Sequence, residues 1–166
     1  GMSLPGSSAQ EAVGQEKLSD CERAGRQVLE LLKRDIKPSD IMTKKAFENA
    51  IVVNAAVGGS TNFIMHLLAI AGRIGIDLNL EDFDHVGSSV PLLVNLMPSG
   101  KYLMEDYYYA GGLGVVIKEL GDLLHGDCKT ANGLALTENY QNAACYNREV
   151  IATRAQPLAF SAGIAV

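Results

Sequence analysis

Cysteine is scarce in this chain of 166 residues: Cys21, Cys128 and Cys145 lie far apart and are odd in number. That usage speaks against a disulfide framework and for a reducing compartment, the cytoplasm. No pair of them has zinc-type spacing. Long apolar runs are missing too. The longest, such as residues 64–71 broken by His66, are too short to span a bilayer. No charged stretch followed by an apolar one marks a signal peptide. Lys and Arg are scattered, with no basic stripe and little aromatic interleaving. With a net charge of −5, this argues against nucleic acid and membrane surfaces as partners. There is no internal repeat and no low-complexity tract.

What is present is apolar. Hydrophobic residues make up 48% of the chain, enough for a sizeable core. The length allows one domain or one and a half. The chain opens on GMSLPGSSAQ with no capped element and closes on the apolar FSAGIAV, whereas chain termini are usually polar. An apolar close of this kind is expected of a strand whose partners lie further along a longer chain.

Periodicity predicts a helix over residues 9–34. Leu18, Cys21, Gly25, Val28 and Leu32 mark its apolar face. Pro38 breaks the pattern. Thr43 is an N-cap candidate for a helix near 44–56, with Phe47, Ala50 and Ile51 on one side. Asn54 intrudes on that apolar run and, if buried, requires hydrogen-bond partners. Gly58 and Gly59 end this helix, and Ser60 or Thr61 caps the next over about 62–73. Its apolar residues (Phe63, Ile64, Met65, Leu67, Leu68, Ile70 and Ala71) cover nearly the whole circumference, which predicts a central position and makes His66 a core histidine. IDLNLEDFDHVG reads as a loop and a short acidic helix, with His85 at the surface. Residues 92–96 read as a buried strand closed by a Pro-Ser-Gly turn. Residues 103–120 form two helical pieces joined at Gly111 and Gly112, with Glu105 and Asp106 in the first turn. LLHGDCKTANG is a loop, and Thr137 caps a turn through Tyr140. From Glu149 the composition shifts to Val, Ile, Thr and Phe, the start of a β-rich region. The expected fold class is α/β: helix-dominated, with a short buried strand and a C-terminal end entering a β-rich second domain.

Three clusters can carry chemistry. In GGSTN, glycines let the backbone approach an anion at a helix N-terminus, and Ser60, Thr61 and Asn62 add donors. Gly59, Ser60, Thr61 and Asn62 are therefore candidates for holding a carboxylate or phosphate. The alternative is a tight turn with an N-cap. No Lys follows as a phosphate-binding loop requires. In LHGDC, His125, Asp127 and Cys128 occupy a Gly-containing loop, where a His and an Asp two apart can share a metal or a proton. The alternative is a turn in which Asp127 bonds its own backbone and Cys128 packs inside. In PSGKYLMED, Lys101 can meet an anion and Glu105 with Asp106 a cation, or they are solvated residues at a helix start. YYY at 107–109 reads as packing and rim. No Ser/His/Asp set, carboxylate pair or metal constellation assembles from these residues.

Taken together, NAIVVNAAVGGSTNFIMHLLAIA, DFDHVGSSVPLLVNLMPSGKYLMEDYYYAGGLGVVIKEL, LLHGDCKTANGLALTENY and PLAFSAGIAV resemble consecutive segments of the dihydroxy-acid and sugar-acid dehydratases, the IlvD/Edd family. GMSLPGS at the start belongs to the same resemblance. It implies removal of water from a 2,3-dihydroxy carboxylate to give a 2-keto acid, in a homo-oligomer acting on a small carboxylate. It also implies an iron–sulfur cluster, whose iron acts as a Lewis acid on the leaving hydroxyl. A magnesium ion holds the substrate while a base removes the C2 proton.

In that family the cluster cysteines and most magnesium ligands, a modified lysine among them, lie upstream of GMSLPG. A further acidic ligand and the serine base lie downstream of AGIAV. Those motifs do not occur in this sequence. Cys21 and Cys145 match no cluster motif, and Cys128 falls in a matching stretch without a known ligand role. The resemblance thus implies the middle of a larger enzyme. Residues 1–148 would be the middle part of its N-terminal α/β domain and 149–166 the start of the second. Such a fragment is expected to hold no catalytic residue, to bind no cluster or magnesium, and to be inactive alone. AAVGGSTNFIMHLLAIAGR and NAACYNREVI are closer to the sugar-acid branch than to that of branched-chain amino-acid synthesis. An independent anion-binding module and one side of an oligomer interface are the competing readings.

Overall fold

A computed structural model describes residues 1–162; the end of the apolar closing stretch, 163–166, lies outside the described residues. The helices in chain order are α1 (Gln15–Lys33), α2 (Pro38–Ile41), α3 (Lys44–Val57), α4 (Asn62–Arg73), α5 (Leu80–Gly87), α6 (Met104–Tyr109), α7 (Gly112–Leu120) and α8 (Leu136–Tyr140), with a 3-10 turn at Gly121–Leu123. No helix among the described residues is long and apolar enough to cross a membrane.

The fold is built on α3. Thr43 caps it as expected, its Oγ1 accepting from the Ala46 N–H. Phe47, Ile51, Val52, Ala55 and Ala56 are all buried, and α4, α5 and α7 pack around it. Lys44 anchors the start of α3 to α5, donating to the Asp77 carbonyl and to Asp82 Oδ2. Asn79 and Asp82 cap α5 reciprocally. The Asp82 N–H donates to Asn79 Oδ1, and the Asn79 N–H to Asp82 Oδ2. These two donors, the Asn79 N–H first and the Lys44 ammonium second, hold the Asp82 carboxyl below the usual carboxylate range.

The extended segment 90–96 closes the core from the other side. Leu93 is fully buried; its N–H donates to the Ala56 carbonyl, and its own carbonyl accepts from Ala152. The expected strand at 92–96 is buried and extended but belongs to no sheet. Leu92, Val94 and Leu96 form isolated bridges with Ala159, Ile151 and Tyr102. A β-rich C-terminal unit is likewise not seen among the described residues: Val150 and Ile151 join the same core as Val52, Leu93, Val116 and Leu120.

Two helices depart from expectation. α1 begins at Gln15, and its apolar stripe faces outward, with Leu18, Val28 and Leu32 between 64% and 76% exposed. The helix is held instead by polar contacts. Arg34, just beyond it, donates to the carbonyls of Asn132 and Gly133, and Lys17 to that of Ser7. α4 has the expected bounds but is not central. Only Ala71 is buried, Met65 is 64% exposed, and His66 stands at the surface rather than in a core. Amphipathicity reports that a face is apolar and leaves open what covers it. The remaining local readings hold: α6 and α7 meet at Gly111, and Asp106 accepts from the Leu103 N–H. At α8 the N-cap is not Thr137, which lies within the helix, but Ala135, whose N–H donates to the Glu138 side chain.

Leu120→Ala, at a fully buried site, should cost about 2–5 kcal/mol in denaturant unfolding, and Leu68→Ala on half-buried α4 less than about 1.5 kcal/mol. Asn79→Ala should cost about 1 kcal/mol. Because the folded-state pKa of Asp82 is depressed, its contribution is full above about pH 4 and lost as pH falls through the folded value. The stability gap between the wild type and Asp82→Ala should therefore close in acid; a gap constant from pH 7 to pH 3 would contradict the capping assignment.

Candidate functional site

The turn between α3 and α4 is set by backbone geometry. Gly58 sits in the left-handed region (φ 65°, ψ 47°), its N–H donating to the Ala55 carbonyl and that of Gly59 to the Asn54 carbonyl. These paired bonds form a helix-ending motif that favours glycine. Gly59 is needed for a different reason: a methyl group there would overlap the Asn54 side-chain oxygen. Ser60, Thr61 and Asn62 are exposed at the start of α4. The first amides of α4 are engaged locally. The Asn62 N–H donates to Ser60 Oγ, that of Phe63 to the Ser60 carbonyl and that of Ile64 to the Thr61 carbonyl. Thr61 makes no side-chain cap. The structure thus brings Gly59, Ser60, Thr61 and Asn62 together as one surface turn.

The HGDC loop is pinned to α3 by a residue that sequence reading did not single out. Asn49, 7% exposed, donates from Nδ2 to the His125 carbonyl at 3.0 Å and accepts from the His125 N–H at 2.7 Å. Immediately before it Glu48 meets His125 Nε2 at 2.7 Å, and one helical turn earlier Lys45 meets Asp127 Oδ2 at 3.4 Å. His125 and Asp127 therefore take different partners. A polar residue amid the apolar period of α3 was the available signal, yet nothing local names a partner 76 residues away. Cys128 is half-buried, and burial, then the neighbouring Asp127, pushes its thiol up. Both effects disfavour the thiolate. Lys101 lies over the Tyr102 ring, 5.1 Å from its centroid.

Beside this loop lies a cavity of about 470 Å³ between the opening segment, α3, α7 and α8. Its wall is mainly apolar (Val53, Val57, Leu113 and Ile117), with Cys128, Lys129 and Asn54 among the polar residues. A second cavity of about 460 Å³, bordered by Ile51, Ile64, Phe83 and Asp84, shares Asn54 with the first. Such volumes suit small organic ligands. Of the turn residues 59–62, none lines either cavity; Phe63 and Ile64 do. No group of three His, Cys, Asp or Glu side chains among the described residues converges to hold a metal ion. Cys21 is exposed on α1, and Cys145 is half-buried with its Sγ 3.8 Å from the Ile151 carbonyl. The residues present do not fit an iron–sulfur cluster or a magnesium site, and no chemical step is assigned to either in this chain.

Comparison with known proteins supplies the affiliation. The family model for the dihydroxy-acid/6-phosphogluconate dehydratase N-terminal region matches residues 1–139. An L-arabinonate dehydratase of Rhizobium leguminosarum bv. trifolii is 51% identical over the whole chain, which spans 29% of that protein. A dihydroxy-acid dehydratase of Methylococcus capsulatus is 56% identical over 88% of the chain and 26% of its own length. One from Chromohalobacter salexigens is 50% identical over the whole chain and 30% of its own length. The chain thus spans less than a third of these relatives, and with a match over most of its length it belongs to the dihydroxy-acid/6-phosphogluconate dehydratase family, in the N-terminal region of that family.

Proposed function

We propose that this chain is one segment of a dehydratase that removes water from a 2,3-dihydroxy carboxylate to give a 2-keto acid, with a sugar acid as the preferred substrate. The observation that carries the reading is the family match across residues 1–139. The sugar-acid preference draws on the 51% identity of the whole chain to 29% of an L-arabinonate dehydratase, against 50% to a dihydroxy-acid dehydratase over the same stretch. The higher identity to a dihydroxy-acid dehydratase over a shorter stretch keeps the branched-chain substrate as the second reading.

In this reading the segment supplies framework and part of a pocket wall, inside a cytoplasmic homo-oligomer. Residues 1–148 belong to the N-terminal α/β domain and 149–166 lead into a β-rich second one; the family match stops at 139, ahead of that stretch. The outward apolar faces of α1 and α4 are surfaces for the rest of the enzyme to cover. The exposed hydroxyls and amide of Ser60, Thr61 and Asn62, beside Gly59, offer donors to a carboxylate at the surface, and Cys128, at the end of the loop that carries His125 and Asp127, lines the first cavity. The iron–sulfur cluster and magnesium, which supply Lewis-acid chemistry when bound, belong to other parts of the longer protein.

The full-length protein carrying this segment, purified without oxygen, should form 2-keto acid from a pentonate faster than from 2,3-dihydroxy-3-methylbutanoate. The reverse order supports the branched-chain reading, and no product from either overturns both. The 166-residue chain alone should show neither turnover nor stoichiometric iron; turnover by it would falsify the segment reading.

A further inference from the structure

The sequence contains one Asn-Gly pair, Asn132–Gly133, in the loop between His125 and α8. Asparagine is a labile residue, and a following glycine makes it more so. Glycine puts no side chain in the way when its nitrogen approaches the preceding side chain, and its backbone turns freely. The Gly133 nitrogen attacks Cγ of Asn132 and gives its proton to solvent, ammonia leaves, and a succinimide ring closes. Water then opens the ring to aspartate, or to isoaspartate, in which the main chain runs through Cβ. Water is the sole co-reactant, and both residues are partly exposed to it.

The folded loop holds both reacting groups back. The Gly133 N–H donates to the Thr130 carbonyl at 2.7 Å, in a turn where Gly133 has φ 82°. The Asn132 carboxamide is fixed at both ends. Its Oδ1 accepts from the Leu134 N–H at 3.0 Å, and its Nδ2 donates to Asn139 Oδ1 at 2.6 Å. The buried Thr130 hydroxyl is shared between Asn132 Oδ1 and the Leu134 carbonyl, at 2.8 and 2.9 Å, and accepts from Asn139 Nδ2 at 2.8 Å. From outside, Arg34 donates to the carbonyls of Asn132 and Gly133 at 3.2 and 3.5 Å. Attack requires the Gly133 nitrogen to leave Thr130 and the carboxamide to swing away from Leu134 and Asn139. These bonds share Thr130, Asn132 and Asn139, so they open as a unit.

We infer that Asn132 is a modification site whose conversion to aspartate or isoaspartate is gated by opening of the Thr130–Asn132–Asn139 network. Isoaspartate lengthens the main chain by one atom inside the turn that Arg34 clamps. Aspartate lacks the donor that Asn139 Oδ1 accepts from. Either product therefore favours the open loop, and with ammonia lost the change does not reverse. Thr130 and Asn139 also border the first cavity, so an open loop loosens part of its wall. The gate is independent of which acid the enzyme acts on.

The test follows residue 132 in the full-length protein carrying this segment, held at mildly alkaline pH and sampled by tryptic mass spectrometry. Cleavage after Lys129 and Arg148 isolates residues 130–148, and fragmentation separates conversion at Asn132 from that at Asn139, Asn142 or Asn147. The folded wild type should convert at least about tenfold more slowly than the same protein in denaturant. Thr130→Val and Asn139→Ala should each speed conversion in the folded protein about three- to tenfold, the change in opening equilibrium that loss of a hydrogen bond brings. Hydrogen exchange in the peptide spanning Gly133 should accelerate with it, because one opening frees the same N–H for both reactions. Circular dichroism checks that the variants stay folded; where one does not, Arg34→Gln, at an exposed position, takes its place. A folded wild type that converts as fast as the unfolded chain overturns the gate. So do variants that speed exchange at Gly133 without speeding conversion, and a conversion rate that no variant changes.

Discussion

α3 is packed on nearly every side, and the other pieces are placed by reference to it. Its apolar positions meet α5 across the small residues Ala55 and Gly87 and meet α7 through the common core. Its last carbonyls hold the turn into α4 and the Leu93 amide. Its polar side chains hold the loop at His125. Since no sheet organises the described residues, each extended segment must pair its backbone one contact at a time. Leu93 is the clearest case, bonded to α3 through its N–H and to Ala152 through its carbonyl.

That arrangement explains the division between interior and surface. The core is formed where α5, α7 and the 90–96 strip meet α3, and Val150 and Ile151, distant in sequence, join it. α1 and α4 lie at its margins and turn apolar faces outward. For α1 the polar face is the one engaged, through Lys17 and the following Arg34. The chain spans less than a third of its relatives' length, and under the proposed reading these faces are where the rest of the enzyme packs.

Local structure was legible in the sequence wherever the determinant was itself local. The Thr43 cap, the glycine end of α3, the bounds of α4 and the joint at Gly111 each depend on residues within a turn of one another. The outward stripe of α1 and the exposed α4 were not legible, because a pattern shows which face is apolar and not whether a neighbour covers it. The strand reading at 92–96 found a buried extended segment but not the absence of a ladder, which depends on residues 150–159. At the site, the glycines of GGSTN suggest close approach to an anion, whereas the atom nearest Gly59 is the side-chain oxygen of Asn54. Asn49 carries no local sign of its role, because its partner is 76 residues away.

If α3 is the element on which the others depend, its amides must open only when the whole chain unfolds. Native-state hydrogen exchange measures this directly. The account predicts that amides of Ile51 through Ala56, together with that of Leu93, exchange slowest and at the global unfolding free energy, while those in the middle of α1 and α4 open several kcal/mol more easily. Protection in α1 or α4 equal to or above that of α3 would contradict it.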